Sequence, residues 1–179
     1  ARTGIPDLKT AMVSAVQVVI NAQNEDGGWD VGYRKGTGID VALSGLHIQA
    51  LKSAYLAGAE NPGLKEAIEK GIRGLKGMAD GKGSGLFRQD NRGENTPLSY
   101  AMTAVAVSVM QASGHTSDPE ARAGIVALKQ VPFRWSRGDS PGQDSRAMGD
   151  WPFYGWCHVT LACWRQGGPT WIAWERRIA

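Results

Sequence analysis

Three segments of this chain align with one another without gaps, and that internal repetition constrains the fold more than any other feature. They are residues 41–58 (VALSGLHIQALKSAYLAG), 97–114 (PLSYAMTAVAVSVMQASG) and 151–168 (WPFYGWCHVTLACWRQGG), each closing on glycine. Before each stands a side-chain oxygen able to accept from the free N–H groups of a first helical turn: Asp40, Thr96 and Asp150. Pro97 falls at the first helical position, where its missing donor does no harm. The pattern therefore predicts three helices, and they are nearly free of charge: the first carries Lys52, the second no charged side chain, the third Arg165.

A helix of different character is predicted ahead of each, at residues 8–23, 62–78 and about 119–130. These are charged along one side, the middle one through Lys65, Glu66, Glu69, Lys70, Arg73 and Lys76. A helix without charge must be covered over most of its surface, whereas an amphipathic one faces water on one side. The charged helices are thus expected outside the apolar ones. The result is an all-α, single repeat domain spanning residues 1–179, an arc of about three helical hairpins. Its units are about 7–60, 61–116 and 117–168, closed by a C-terminal cap at 169–179. Thr170 is expected to cap that last short helix, with Trp171 and Trp174 on one face.

The joint between the first two helices is Gln23-Asn24-Glu25-Asp26-Gly27-Gly28-Trp29. The helix before it carries Met12, Val16, Val19 and Ile20 at intervals that fit one face. Glycine has no Cβ and so reaches positive φ without strain, which lets Gly27-Gly28 turn the chain sharply and return Trp29 onto the helix it has just left. Gln23, Asp26, Gly27, Gly28 and Trp29 are accordingly read as a structural motif. The other linkers carry Phe87 and Trp135 at comparable places, read the same way, and the polar linker 134–150 is long enough to carry function.

Composition narrows the partners. Of 179 residues, 42% are hydrophobic and 21% charged, which fits a folded globular domain and not a disordered chain. The net charge of +3 is spread among acids, as in Lys65-Glu66 and Glu69-Lys70, so no nucleic-acid stripe exists. Cys157 and Cys163 sit six residues apart on one helix, roughly 9 Å of rise, too far for a bridge. Residues 97–114 approach the length of a membrane span. Ser99, Thr103, Ser108, Gln111 and Ser113 argue instead for a helix buried in protein, so no transmembrane segment is expected. A start at Ala1-Arg2 without methionine suggests a processed or excised product. A secreted or periplasmic origin follows if an upstream signal was removed; the compartment is otherwise open.

A helix ending in Q-x-x-D-G-G-W, then a loop and an apolar helix, resembles the repeat shared by squalene-hopene and oxidosqualene cyclases and by the β subunits of protein prenyltransferases. The nearest resemblance is to bacterial prenyltransferase and squalene oxidase repeat proteins. It is carried by Gly27-Gly28-Trp29, by residues 44–58 (SGLHIQALKSAYLAG), by Tyr100-Ala101-Met102-Thr103-Ala104-Val105, and by Gly167-Gly168 with Trp171 and Trp174. The resemblance covers nearly the whole chain and implies an α/α toroid-like arc, with charged outer and apolar inner helices. It implies little about activity, because a fold does not carry its function with it.

The chemistry of the resembled enzymes can be sought residue by residue. Protonating cyclases use a D-x-D-D acid, but this chain has no adjacent Asp-Asp pair, and a lone Asp40 at a helix start is more simply a cap. Prenyltransferases bind zinc through Asp, Cys and His. Tyr154-Gly155-Trp156-Cys157-His158 faintly resembles their last ligand helix, yet Tyr100 and Thr103 stand where an Asp-x-Cys pair is wanted. Adjacent Cys157 and His158 also diverge by about 100° on a helix, so no metal and no cofactor is expected. The Cys-Gly-Glu-Gln element of complement-like thioester domains is missing. A glycan-active toroid enzyme stays as a more distant alternative, since Tyr, Trp and Arg in open grooves suit sugars, although no paired carboxylates or Arg-His constellation assembles.

One candidate pocket remains. Asp40, Ser44 and His47 share a helix face, and the aligned positions are Thr96, Tyr100, Thr103 and Asp150, Tyr154, Cys157, with His158 adjoining. Inner helices ranged about an axis would turn these groups to a concave centre, a setting for a ligand. The plainer reading has the hydroxyls bonding backbone and His47 as a satisfied core histidine. Both readings stand at this level. The functional expectation is a ligand- or protein-binding module for a small apolar ligand or a protein partner; the alternative is an isoprenoid-handling enzyme of cyclase or prenyltransferase type. Apolar flanks at the two ends of a three-hairpin arc further suggest self-association, unless the chain is part of a larger toroid or residues 33–38 and 171–177 cover the ends.

Overall fold

The computed structural model describes residues 5–32, 36, 38–93, 96–131 and 152–179. Among these lie seven helices: α1 (Pro6–Asn21), α2 (Val41–Leu56), α3 (Leu64–Gly77), α4 (Tyr100–Ala112), α5 (Pro119–Leu128), α6 (Pro152–Gln166) and α7 (Gly168–Ile178). Two short strands, β1 (Phe87–Arg88) and β2 (Leu98–Ser99), pair antiparallel with Phe87 opposite Ser99. The protein is all-α. No described helix is long and apolar enough to cross a membrane.

The helices form two layers. In one, α4 lies between α2 and α6; in the other, α3 packs on α2 and α4, α5 packs on α4 and α6, α1 lies against α2 and α3, and α7 against α6. Charge sorts them as the patterning requires: α3 buries Leu64, Ala67, Ile68, Ile72 and Leu75 while Lys65, Glu66, Glu69 and Arg73 face water. The middle helix α4 is buried without a break from Thr103 to Met110, which explains why it tolerates no charge. One continuous hydrophobic core draws on all seven helices, from Val16 in α1 to Trp174 in α7. The segment expected to form a terminal cap is α7, which packs on α6 as α3 does on α2.

Some helix starts follow the sequence, as α2 after Asp40 and α5 at Pro119 do, and others depart from it. Asp40 caps α2 as expected, its Oδ1 accepting from the Leu43 N–H at 2.9 Å. Helix α4 does not begin at Pro97, and Thr96 is not its cap. Leu98 and Ser99 pair with Phe87 and Arg88, which satisfies backbone groups that a first turn would have left free, and the helix starts one turn later with Ser99 as cap. Thr96 instead donates its hydroxyl to the Gly93 carbonyl at 3.0 Å and to Asp90 at 3.2 Å. Thr170 is no cap either: it is buried inside α7, which begins after Gly167. Asp150, Trp135 and the linker 134–150 lie outside the described residues.

Candidate functional site

The joint after α1 is built as its sequence suggests. Helix α1 ends at Asn21, two residues short of expectation, because Gln23 is used across the turn: its Nε2 donates to the Gly27 carbonyl and to the Ala67 carbonyl of α3, both at 2.8 Å. Gly27, at φ +90°, rests so closely on α3 that a Cβ there would lie 2.2 Å from the Lys70 carbonyl oxygen. Trp29 is 0% exposed. Its indole N–H donates to the Val19 carbonyl of α1 at 2.8 Å, and its ring stacks on His47 at 5.2 Å and 11°.

The hydroxyls of the candidate face complete this joint. The Trp29 backbone N–H donates to Ser44 Oγ at 2.9 Å, and the Ser44 hydroxyl leans back toward the Trp29 carbonyl at 3.5 Å. At the next joint the Phe87 N–H donates to Thr103 Oγ1 at 2.8 Å, while the Thr103 hydroxyl donates to the Ser99 carbonyl at 2.7 Å. Gly85, at φ +74°, lies against the Ala123 carbonyl as Gly27 does against Lys70. Ile48 of α2 crosses Gly71 of α3, and Val107 of α4 crosses Gly124 of α5. Each hydroxyl falls four residues after the cap of its helix, Asp40 or Ser99.

The repeat is therefore real at these joints, but its register corrects the sequence alignment. Ser44 corresponds to Thr103, not to Tyr100, and His47 does not correspond to Thr103. The late start of α4 shifts that helix by three residues, nearly one turn, so the sequence match paired positions from different turns. Ser44 and Thr103 are fully buried and hydrogen-bonded. His47 is buried too, its Nδ1–H donating to the Leu43 carbonyl at 2.8 Å. Ser44 and Thr103 hold the loops to α2 and α4 by hydrogen bonds, and His47 meets the first of those loops by stacking on Trp29.

The remaining candidates gather partly around α6. Tyr154 is half-buried and meets the His158 ring edge-on at 4.6 Å, and its hydroxyl is buried without a hydrogen-bond partner among the described residues. Burial raises the Tyr154 phenol pKa, and the Asp40 carboxylate and Cys157 raise it further. His158 sits 3.3 Å from Ser108 Oγ, and Arg165 donates to the Ser108 carbonyl at 2.9 Å. Burial first, and then Arg165, lowers the His158 pKa, favouring neutral imidazole. Cys157 is exposed while its neighbour His158 is buried, so the two do not converge. Both cysteines are free thiols; burial pushes Cys163 up to about 11. Tyr100 is half-buried against the core. Among the described residues no three His, Cys, Asp or Glu side chains are grouped to hold a metal ion.

A different concavity went unmarked in the sequence reading. Between α1 and α2 lies a groove of about 400 Å³, lined mainly by Met12, Val16 and Val19 on one side and Ala50, Ala54 and Ala57 on the other. The signal for it was the run of small residues on α2, Ala50, Ser53, Ala54 and Ala57, at intervals of three and four. Such spacing keeps the helix surface low along a stripe, and in this structure α1 leaves that stripe partly uncovered. Comparison with models of protein families, with curated proteins and with solved structures finds no match to this chain.

Proposed function

We propose that this chain is an α/α toroid-like repeat domain of the prenyltransferase and squalene oxidase repeat type, serving as a binding module rather than a catalyst. The observation that carries this reading is the apolar groove between α1 and α2, a concavity without a convergent set of acids, bases or nucleophiles along its walls. The Ser44 and Thr103 hydroxyls that a catalytic reading would need already fasten loops, and His47 Nδ1 bonds the Leu43 carbonyl of its own helix. Asp40, the one acid at an inner helix start considered for proton donation, holds the first turn of α2. The ligand class that fits is apolar: a hydrocarbon chain or the apolar face of a protein helix.

A second reading, isoprenoid handling, draws on the same groove, since an apolar trough suits a polyprenyl chain. Titration with squalene, a prenyl alcohol and the matching prenyl diphosphate, followed by tryptophan fluorescence, separates the readings. A module for apolar surfaces takes up squalene and the alcohol saturably and gains nothing from the diphosphate. At least tenfold tighter binding of the diphosphate favours the isoprenoid enzyme. Ala50→Lys, at an exposed groove position, should weaken uptake at least tenfold; unchanged uptake would remove the groove from the site.

A further inference from the structure

We infer that His115 is a proton-operated clasp, holding the α4–α5 turn to α3 through both ring nitrogens when its imidazole is protonated and releasing α3 from the ring when it is neutral. His115 lies in that turn, its Nδ1 2.9 Å from Asp118 Oδ2 and its Nε2 3.3 Å from Glu69 Oε2 of α3. Lys76, also of α3, pairs with the same Asp118 oxygen. With the ring protonated, the chain Glu69, His115, Asp118, Lys76 alternates in sign throughout. Arg73 falls on the same stripe of α3 as Glu69 and Lys76, Glu120 and Arg122 follow where α5 begins, and α4 carries no charge. The clasp joins two supports of the fold. Helix α3 seats the first joint at the Lys70 carbonyl beneath Gly27, and α5 seats the second at the Ala123 carbonyl beneath Gly85.

Donor arithmetic makes the geometry depend on the proton. A carboxylate only accepts, and a neutral imidazole has a single N–H, its other nitrogen being an acceptor. A neutral His115 therefore sets a lone pair against one of its two carboxylates, whereas the imidazolium donates toward both. Asp118 is the arm that keeps its bond, since its contact is the shorter and its side chain is 26% exposed against 54% for Glu69. Loss of the proton thus leaves Nδ1–H on Asp118 and opens the Glu69 arm. The placement of Asp118 agrees. It stands at the N-cap of α5 with extended backbone, yet its side chain makes no capping hydrogen bond and is turned to Lys76 and His115. Bonds from Lys76 first and then His115 hold its carboxyl below the usual range, so it stays an anion while a histidine titrates.

The test is a double-mutant cycle of His115→Gln with Glu69→Gln in the full chain, read by urea denaturation at about pH 5.5 and about pH 8.5, either side of the ordinary histidine range. Titration of His158 is common to all four proteins and cancels. At the lower pH the pair should change the unfolding constant by about twofold to fivefold beyond the two single effects, and at the higher pH that factor should fall to about one. The cycle of His115→Gln with Asp118→Asn should show coupling at both. Glu69 coupling that is equal at the two pH values, or missing at both, overturns the inference, as does missing Asp118 coupling. A second readout uses the parent chain. Its imidazole 15N spectrum at the higher pH, assigned by the signals that His115→Gln removes, should show His115 as the Nδ1–H tautomer. The Nε2–H tautomer would overturn the clasp, because it turns a lone pair to Asp118.

Discussion

Gly27 and Gly58 share φ +90°, and the contrast between them isolates what the Gly27-Gly28-Trp29 joint contributes. Alanine at either position must hold a left-handed backbone, at a cost of about 1–2 kcal/mol. The smaller freedom of the unfolded alanine chain returns about 0.4–1 kcal/mol of this. At Gly58 nothing lies within 4 Å of an added Cβ, so Gly58→Ala should cost roughly 1 kcal/mol in all. At Gly27 the Cβ would stand 2.2 Å from the Lys70 carbonyl oxygen and 2.9 Å from its carbon. Neither atom can rotate away, because both belong to the backbone of α3, so the loop must lift off the helix and carry Trp29 with it. Forced overpacking of this kind adds about 1–3 kcal/mol, placing Gly27→Ala at about 2–4 kcal/mol. Urea denaturation followed by circular dichroism measures both, and the gap should appear as roughly 2–12 °C in thermal midpoint. Gly85→Ala should behave like Gly27→Ala, since its Cβ would meet the Ala123 carbonyl oxygen at 2.4 Å. Equal losses at Gly27 and Gly58 would refute the account of the joint.

Two further outcomes follow from the inner helices. Thr103→Val keeps the shape of the side chain but strands the buried Phe87 N–H, and should cost about 1–3 kcal/mol by urea denaturation; a loss below about 0.5 kcal/mol would mean the hydroxyl does not fasten β1. His158 has its pKa lowered from 6.5 by burial and by Arg165. The unfolded chain therefore takes up this proton first as pH falls. Its contribution to stability is full above the unfolded value and declines below it, until pH passes the lowered folded value and the loss levels off. His158→Gln should flatten the decline in stability that sets in as pH falls through 6.5, and superimposable profiles for the two proteins would remove the claim.

The sequence alone determined what is set by local pattern. Charge placement sorted outer helices from inner ones, Asp40 announced the start of α2, and Gly27-Gly28-Trp29 specified a turn that buries its tryptophan. Each rests on a short-range cause: a periodicity, a cap or a backbone that only glycine adopts freely. The register of the second repeat was not legible. Thr96 and Pro97 look like a helix start, and the pairing of residues 98–99 with 87–88 outweighs them through hydrogen bonds that local sequence does not encode.

The candidate site divided along the same line. Spacing placed Asp40, Ser44 and His47 on a common face correctly, but whether that face meets a ligand or a loop depends on where Trp29 lands, fifteen residues away from Ser44. Only tertiary structure decides which polar groups are already satisfied. It likewise decides that the small residues of α2 border a groove, because a stripe of alanines reads equally well as a tight helix contact until its neighbour's distance is known. Local physics fixed the parts; long-range packing settled which of their surfaces remain open.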